Sequence, residues 1–237
     1  MSLASAGWLA SLLVSLAGLS TPAQAAQRCV VPHSHRIRVL KVTHSVVVYY
    51  VHEGESEVGP EADAYLACSR RTNRFMSLGR EELDPEYGPE NAITDIEVEG
   101  DWLAVADTTG IPTASSCGKY MEGTPGASCP SPSVSLELFD VATGRRLAIP
   151  GIGVLPGGKE AQLVRVLVSR DGAVAWLVKS EVEVTSSLYG CLASPLRRGL
   201  LCTPRLFAEG SIPAASARLS GTTLSWTAGG VAGSSAL

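Results

Sequence analysis

Three sets of residues in this chain have the types and spacing that chemistry needs: paired histidines, runs of carboxylates and an even number of cysteines. His33 and His35 lie two apart after Pro32, so an extended backbone puts both imidazoles on one face, where a metal ion takes such ligands. His44 and His52 stand by the next hairpin and are their nearest companions, although a turn and a strand end are also ordinary places for solvated histidines. No H-E-x-x-H occurs, and neither a metal nor another cofactor is expected, His33 and His35 being the only candidate ligands. Carboxylates gather at Glu53, Glu55, Glu57, Glu61 and Asp63, and again at Glu81, Glu82, Asp84, Glu86 and Glu90. Neither run has the D-x-D-x-D-G spacing that wraps calcium, so both read as solvated acidic loops. Serines are many, but no G-x-S-x-G marks a nucleophile with a base beside it, and no catalytic residue is assigned.

The cysteines are Cys29, Cys68, Cys117, Cys129, Cys191 and Cys202. No C-x-x-C occurs and none sits beside a histidine, which favours disulfides over zinc or thiol chemistry. Six cysteines allow 15 connectivities, so pairing is argued from local sequence. Cys117 and Cys129 bracket a Gly-, Pro- and Ser-rich loop without strand pattern, which they close. Cys191 and Cys202 flank the turn sequence Ser194 to Gly199 and face each other across a hairpin. Cys29 then pairs with Cys68, pinning the N-terminal segment to the sheet.

No charged side chain precedes Arg28, and Trp8 to Leu19 is an apolar run too short to cross a bilayer. Ser20, Thr21 and Pro22 break it, and Ala23-Gln24-Ala25 is the small-x-small pattern of signal peptidase. Residues 1–25 are therefore expected to be a signal peptide, 26–229 one domain and 230–237 a flexible tail. A secreted, extracellular protein with no membrane anchor after cleavage agrees with the even cysteine count. The 19 Lys and Arg against 23 Asp and Glu, net charge −4, argue against a nucleic-acid partner. The 45% apolar content suffices for a core, and 24 Gly with 14 Pro exceed the roughly 12% of average composition, favouring short strands and turns.

From residue 36 the chain alternates with period two between turn signals. Strands are expected at Ile37 to Thr43, Val46 to Val51, Asp63 to Cys68 and Arg74 to Leu78. A second block covers Ile93 to Val98, Trp102 to Ala106, Ser133 to Phe139 and Arg145 to Ile149. A third covers Leu163 to Ser169, Ala173 to Lys179, Leu188 to Leu192 and Leu200 to Thr203, and Ala217 to Leu219 with Thr223 to Trp226 begin a fourth. The first hairpins recur, and their turns, from His44 to Gly100, Gly172 and Gly221, lie 56, 72 and 49 residues apart. With insertions removed the period is roughly 45 to 50 residues, that of a propeller blade. Trp102, Trp176 and Trp226 recur at or near one strand position, as residues packed between blades would.

Asp140-Val-Ala-Thr-Gly-Arg-Arg-Leu resembles the Asp-x-x-Thr-Gly turn of WD40-like and quinoprotein-like β-propellers, and the chain as a whole resembles a secreted bacterial propeller-like repeat protein. In such a turn Asp140 and Thr143 bond backbone N–H groups and Gly144 supplies a positive φ, a structural role. The expected fold is all-β, with propeller-like four-stranded antiparallel blades numbering about three and a half; the alternative is a β-sandwich. Three and a half blades leave open edges. A strand at Arg28 to Val31 added to the last blade, or a homodimer through the gap, would cover them. The expected function is a binding or interaction module for a protein or carbohydrate partner. The alternative is an extracellular hydrolase or lyase with its site at the channel mouth.

Overall fold

The computed structural model describes residue 29 and residues 37–53, 62–84, 88–89, 91–109, 133–149, 152, 154–155, 159–180, 185–196 and 199–237. The fold is all-β, and every strand pair is antiparallel. The first blade is β1 (Ile37–Val42), β2 (Val46–Glu53), β3 (Ala62–Ser69) and β4 (Arg74–Asp84), extended by the two-residue β5 (Gly88–Pro89). The second is β6 (Asn91–Glu99), β7 (Trp102–Thr109), β8 (Ser133–Asp140) and β9 (Arg145–Ile149). The third takes the short β10 (Val154–Leu155), then β11 (Lys159–Val168), β12 (Ala173–Ser180) and β13 (Ser186–Leu192). A separate hairpin, β14 (Ser194–Leu196) and β15 (Gly199–Leu201), precedes that blade's outer strand β16 (Arg205–Gly210). Among the described residues the fourth blade has three strands, β17 (Arg218–Ser220), β18 (Thr223–Ala228) and β19 (Val231–Ala236). No helix among the described residues is long and apolar enough to cross a membrane.

The blades follow one another in chain order. Lys41 of β1 pairs with Glu97 of β6 at 3.0 Å. The backbone N–H of Val166 in β11 bonds the Asp95 carboxylate of β6, and Arg165 of β11 donates to the Ala214 carbonyl, ahead of β17, at 2.6 Å. Strands β7 and β12 bury side chains on both faces because each middle blade has a neighbour on either side, whereas each sheet of a sandwich keeps one face for solvent. The three inner strands β1, β6 and β11 share a register shift against their partners, at Val39/Lys41, Ile93/Asp95 and Leu163/Arg165.

The turn chemistry repeats as well. Asp140 accepts the Thr143 N–H at 3.2 Å and the Thr143 hydroxyl at 2.6 Å; the Gly144 N–H donates to the Asp140 carbonyl at 2.7 Å, and Gly144 has φ 72°. The first blade builds this turn from other residues. The Ser69 hydroxyl accepts the Thr72 N–H at 3.3 Å, the Asn73 N–H donates to the Ser69 carbonyl at 2.7 Å, and Asn73 takes φ 56°. Arg74 reaches across to the Thr143 carbonyl at 3.0 Å, so the turn of the second blade also docks the first.

Cys29 is bonded to Cys68 and Cys191 to Cys202, with Cα atoms 5.7 and 5.6 Å apart. Cys117, Cys129 and residues 1–25 lie outside the described residues, as do His33 and His35. Of the segment Arg28 to Val31 only Cys29 is described, and it is held against the first blade, where the Tyr49 hydroxyl donates to its carbonyl.

Three expectations are corrected. Residues 230–237 are not a free tail: Gly229 and Gly230, at φ 55° and 83°, make the two-residue turn that folds β19 onto β18. The outer strand of the third blade is β16, not Leu200 to Thr203, because the Cys191–Cys202 bridge closes an inserted hairpin whose Leu200 is buried and whose β15 lies against β9. Trp102 does not share the position of Trp176 and Trp226. It opens β7 three residues earlier and lies over Gly172, where a Cβ would come within 2.6 Å of the indole.

Candidate functional site

Alternation along β2 and β3 brings four polar side chains to one face of the first blade. Tyr50 lies opposite Tyr65 and His52 opposite Asp63, while on β4 Gly79 faces Tyr65 and Glu81 faces Asp63. Asp63 is only 7% exposed and is bonded to His52 Nδ1 at 2.7 Å. Tyr50 also bonds Asp63, which pushes the Tyr50 phenol up to about 12 because the carboxylate favours the protonated phenol. The rings of Tyr50 and Tyr65 meet edge to face at 5.6 Å. Burial, followed by the charge and hydrogen bond of Glu81, raises Tyr65.

Beside this row the first and second blades part around a cavity of about 190 Å³. Ser77, Leu78, Gly79, Arg80 and Glu81 line one side, and Ile93, Val105, Asp107, Glu137 and Arg146 the other. At Gly79 the strands approach closely, and a Cβ there would lie 2.9 Å from Ile93 Cδ1. Glu81 spans the gap and accepts the Ile93 N–H at 2.5 Å. Burial raises the Glu81 carboxyl despite the bonds from Ile93 and Tyr65, with the charges of Asp63 and Asp107 adding to the effect. Burial raises Asp107 too, and it raises Glu137, where Arg146 partly offsets it and Asp107 reinforces it. Three partly buried carboxyls thus sit in one cleft with their charged forms disfavoured, a setting suited to a proton or a cationic group. Among the described residues no three His, Cys, Asp or Glu are grouped as a metal ion requires.

The repeat explains why the cavity lies here. Counting along the second strand of each blade places Tyr49, Val105, Trp176 and Trp226 in one column, the two tryptophans each being fourth in their strand and Val105 fourth in β7. In the seam between the second and third blades Trp176, 2% exposed, stacks on Tyr189 with ring centroids 5.9 Å apart. In the seam before it Val105 takes the place of the indole and Glu137 that of Tyr189. Two residues on, Asp107 stands where the later seam has Val178.

Among the sequence candidates, His44 is exposed in its turn, while His52 is not solvated but paired with Asp63. Of the two acidic runs, Asp63 and Glu81 are not loop carboxylates: one is buried and the other lines the cleft. Tyr50, Tyr65, Asp107, Glu137 and Arg146 carry no local motif. Aligning the blades and asking where a charge replaces an apolar core residue is the signal that would find Asp107 and Glu137. The chain matches none of the known protein families, and no characterised protein is significantly similar to it in sequence.

Proposed function

We propose that this is an exported, disulfide-stapled protein related in design to WD40-like or quinoprotein-like propellers, and that it is a binding module whose first seam holds a small cationic group presented by a protein or carbohydrate. The observation that carries the reading is the opening of this seam by Val105 and Gly79 and its lining by Glu81, Asp107 and Glu137, where the next seam is filled by Trp176, Val178 and Tyr189. At about 190 Å³ the cavity is below the range of whole drug-sized ligands and suits one amine-bearing unit of a larger chain. Such a cation offsets the burial that disfavours these carboxylates and favours their charged forms. Titration calorimetry with chitosan oligomers and lysine peptides, against their N-acetylated counterparts, tests it. Saturable, salt-sensitive binding of the amines, weakened by Asp107→Asn and absent for the acetylated forms, is expected; equal binding of both forms, or none, overturns it.

The second reading, an extracellular hydrolase or lyase, draws on Glu81. A carboxyl raised by burial and bonded to a tyrosine suits a general acid, and the His52–Asp63 pair lies in the adjoining row. Turnover of a polysaccharide that Glu81→Gln abolishes while binding persists would favour it.

A further inference from the structure

The cleft between the first and second blades is graded along its length, from carboxylates through apolar side chains to a guanidinium. At one end Glu81 accepts the Ile93 N–H, and Ile93 is the strand partner of Asp107, so the two carboxyls lie at one level of the seam. Leu78, Ile93 and Val105 supply the apolar middle of the lining. At the other end stands Arg146, exposed and opposite Phe139, whose ring packs in the core of this same seam, so its side chain leaves β9 on the face toward the first blade. Arg80 lies opposite Ala64, which packs on the other face of its blade. Among the described residues Arg146 forms no ion pair. Burial raises the Glu137 carboxyl and the Arg146 charge partly offsets it, so the guanidinium is felt one pair of residues along the cleft from its own backbone. From that level to Asp107 is two residues of β7, which puts roughly 7 Å of strand between the cationic and the acidic ends.

We infer that the seam takes the C-terminal lysine of a protein chain, with its amine between Glu81 and Asp107, its methylenes along Leu78, Ile93 and Val105, and its carboxylate on Arg146. The inference rests on the cationic-group reading above and narrows it from an amine to a dipolar ligand. Methylenes match the apolar middle of the lining, where the hydroxyls of an amino sugar would be desolvated without partners. A lysine inside a chain brings no carboxylate, and glycine holds its two charges too close together to reach both ends. A terminal lysine separates them by its whole side chain, and its carboxylate offers the planar pair of oxygens that a guanidinium binds in bidentate fashion. Arg146 is on this account the specificity-determining residue, since Glu81 and Asp107 recognise any amine.

Titration calorimetry of the full chain, disulfides intact, with aminocaproate, its amide and glycine tests the inference, aminocaproate being the lysine skeleton without the α-amino group. Aminocaproate is expected to bind about tenfold more tightly than the amide, the worth of one charge-assisted pair, and glycine not to bind. Arg146→Gln is expected to bring acid and amide to the same affinity. A peptide ending in a free lysine is expected to show the same preference over its carboxamide. Equal binding of acid and amide by the wild-type chain, or of glycine and aminocaproate, overturns the terminal-lysine inference and leaves the amine reading standing, whereas no binding of any of them overturns both. If Arg146→Gln unfolds, the wild-type preferences for acid over amide and for aminocaproate over glycine decide.

Discussion

The seam between the first and second blades and the seam between the second and third are built on the same plan and filled differently. In the later one Trp176, Val178 and Tyr189 join Ala104, Ala106, Leu136 and Leu138 in a continuous apolar layer. In the earlier one the part bearing Val46, Val48, Leu103 and Phe139 is equally apolar, but beyond Val105 the layer gives way to Asp107, Glu137 and Glu81 around a cavity. Packing that a fold needs at every seam is suspended at one of them. Charged groups buried there cost stability, so their placement is a departure from local consistency of the kind that marks functional sites.

The comparison breaks first at the indole. Trp176→Ala is expected to destabilise by about 3–5 kcal/mol, measured by denaturant midpoint, and Val105→Ala, which only enlarges an existing cavity, by less than half as much. Equal losses would mean that the two seams carry the same load. Removing the Cys191–Cys202 bridge, which spans 11 residues beside the packed seam, is expected to cost about 3 kcal/mol. Removing the Cys29–Cys68 bridge, which spans 39, is expected to cost about 4 kcal/mol; equal thermal shifts for the two double Cys→Ala variants would contradict a loop-length origin. Gly79→Ala pushes a methyl against Ile93 and is expected to cost about 1 kcal/mol while shrinking the cleft, and unchanged amine binding would separate the cavity from the proposed function.

The smallest effect is the most specific. Burial raises the Asp107 carboxyl in the folded chain, so the folded state holds its proton more tightly than the unfolded one. Stability therefore falls as pH rises from the unfolded carboxyl range, near 4, through the raised folded value, and the ionised group opposes folding at neutral pH. Asp107→Asn is expected to raise the Tm at pH 7 and to leave it unchanged at pH 3. A gain of the same size at both values would show that ionisation is not the cause.

Much of the fold was legible because local patterns and tertiary demands agree. The strands of the first two blades, the Asp140 turn with Gly144 at positive φ, and the Cys191–Cys202 bridge follow from alternation, turn chemistry and a short cysteine spacing, and Cys29–Cys68 follows as the pair left over. Strand β16 was missed because its Leu206 is exposed, while the buried Leu200 of the neighbouring insertion imitates a core strand. Strand β19 was missed because Gly, Ala and Ser have little strand preference of their own; its pairing comes from the Gly229-Gly230 turn and from Leu237 docking on the third blade. His52 and Asp63 each looked like an ordinary polar residue at a strand end, since only the register of β2 on β3 makes them a pair.

By itself, then, the sequence determined an all-β repeat chain with short turns, because strand alternation and glycine φ act within a few residues, and disulfide staples, because an even cysteine count without metal spacing leaves pairing as their use. Only the tertiary structure decided where function could reside. The cleft draws Glu81 from one blade and Asp107, Glu137 and Arg146 from the next, and among the described residues β19 lies at the edge of its sheet. Both are properties of how sheets meet, and the energies that set them, desolvation of a carboxylate and an unpaired backbone edge, depend on neighbours far away in the chain.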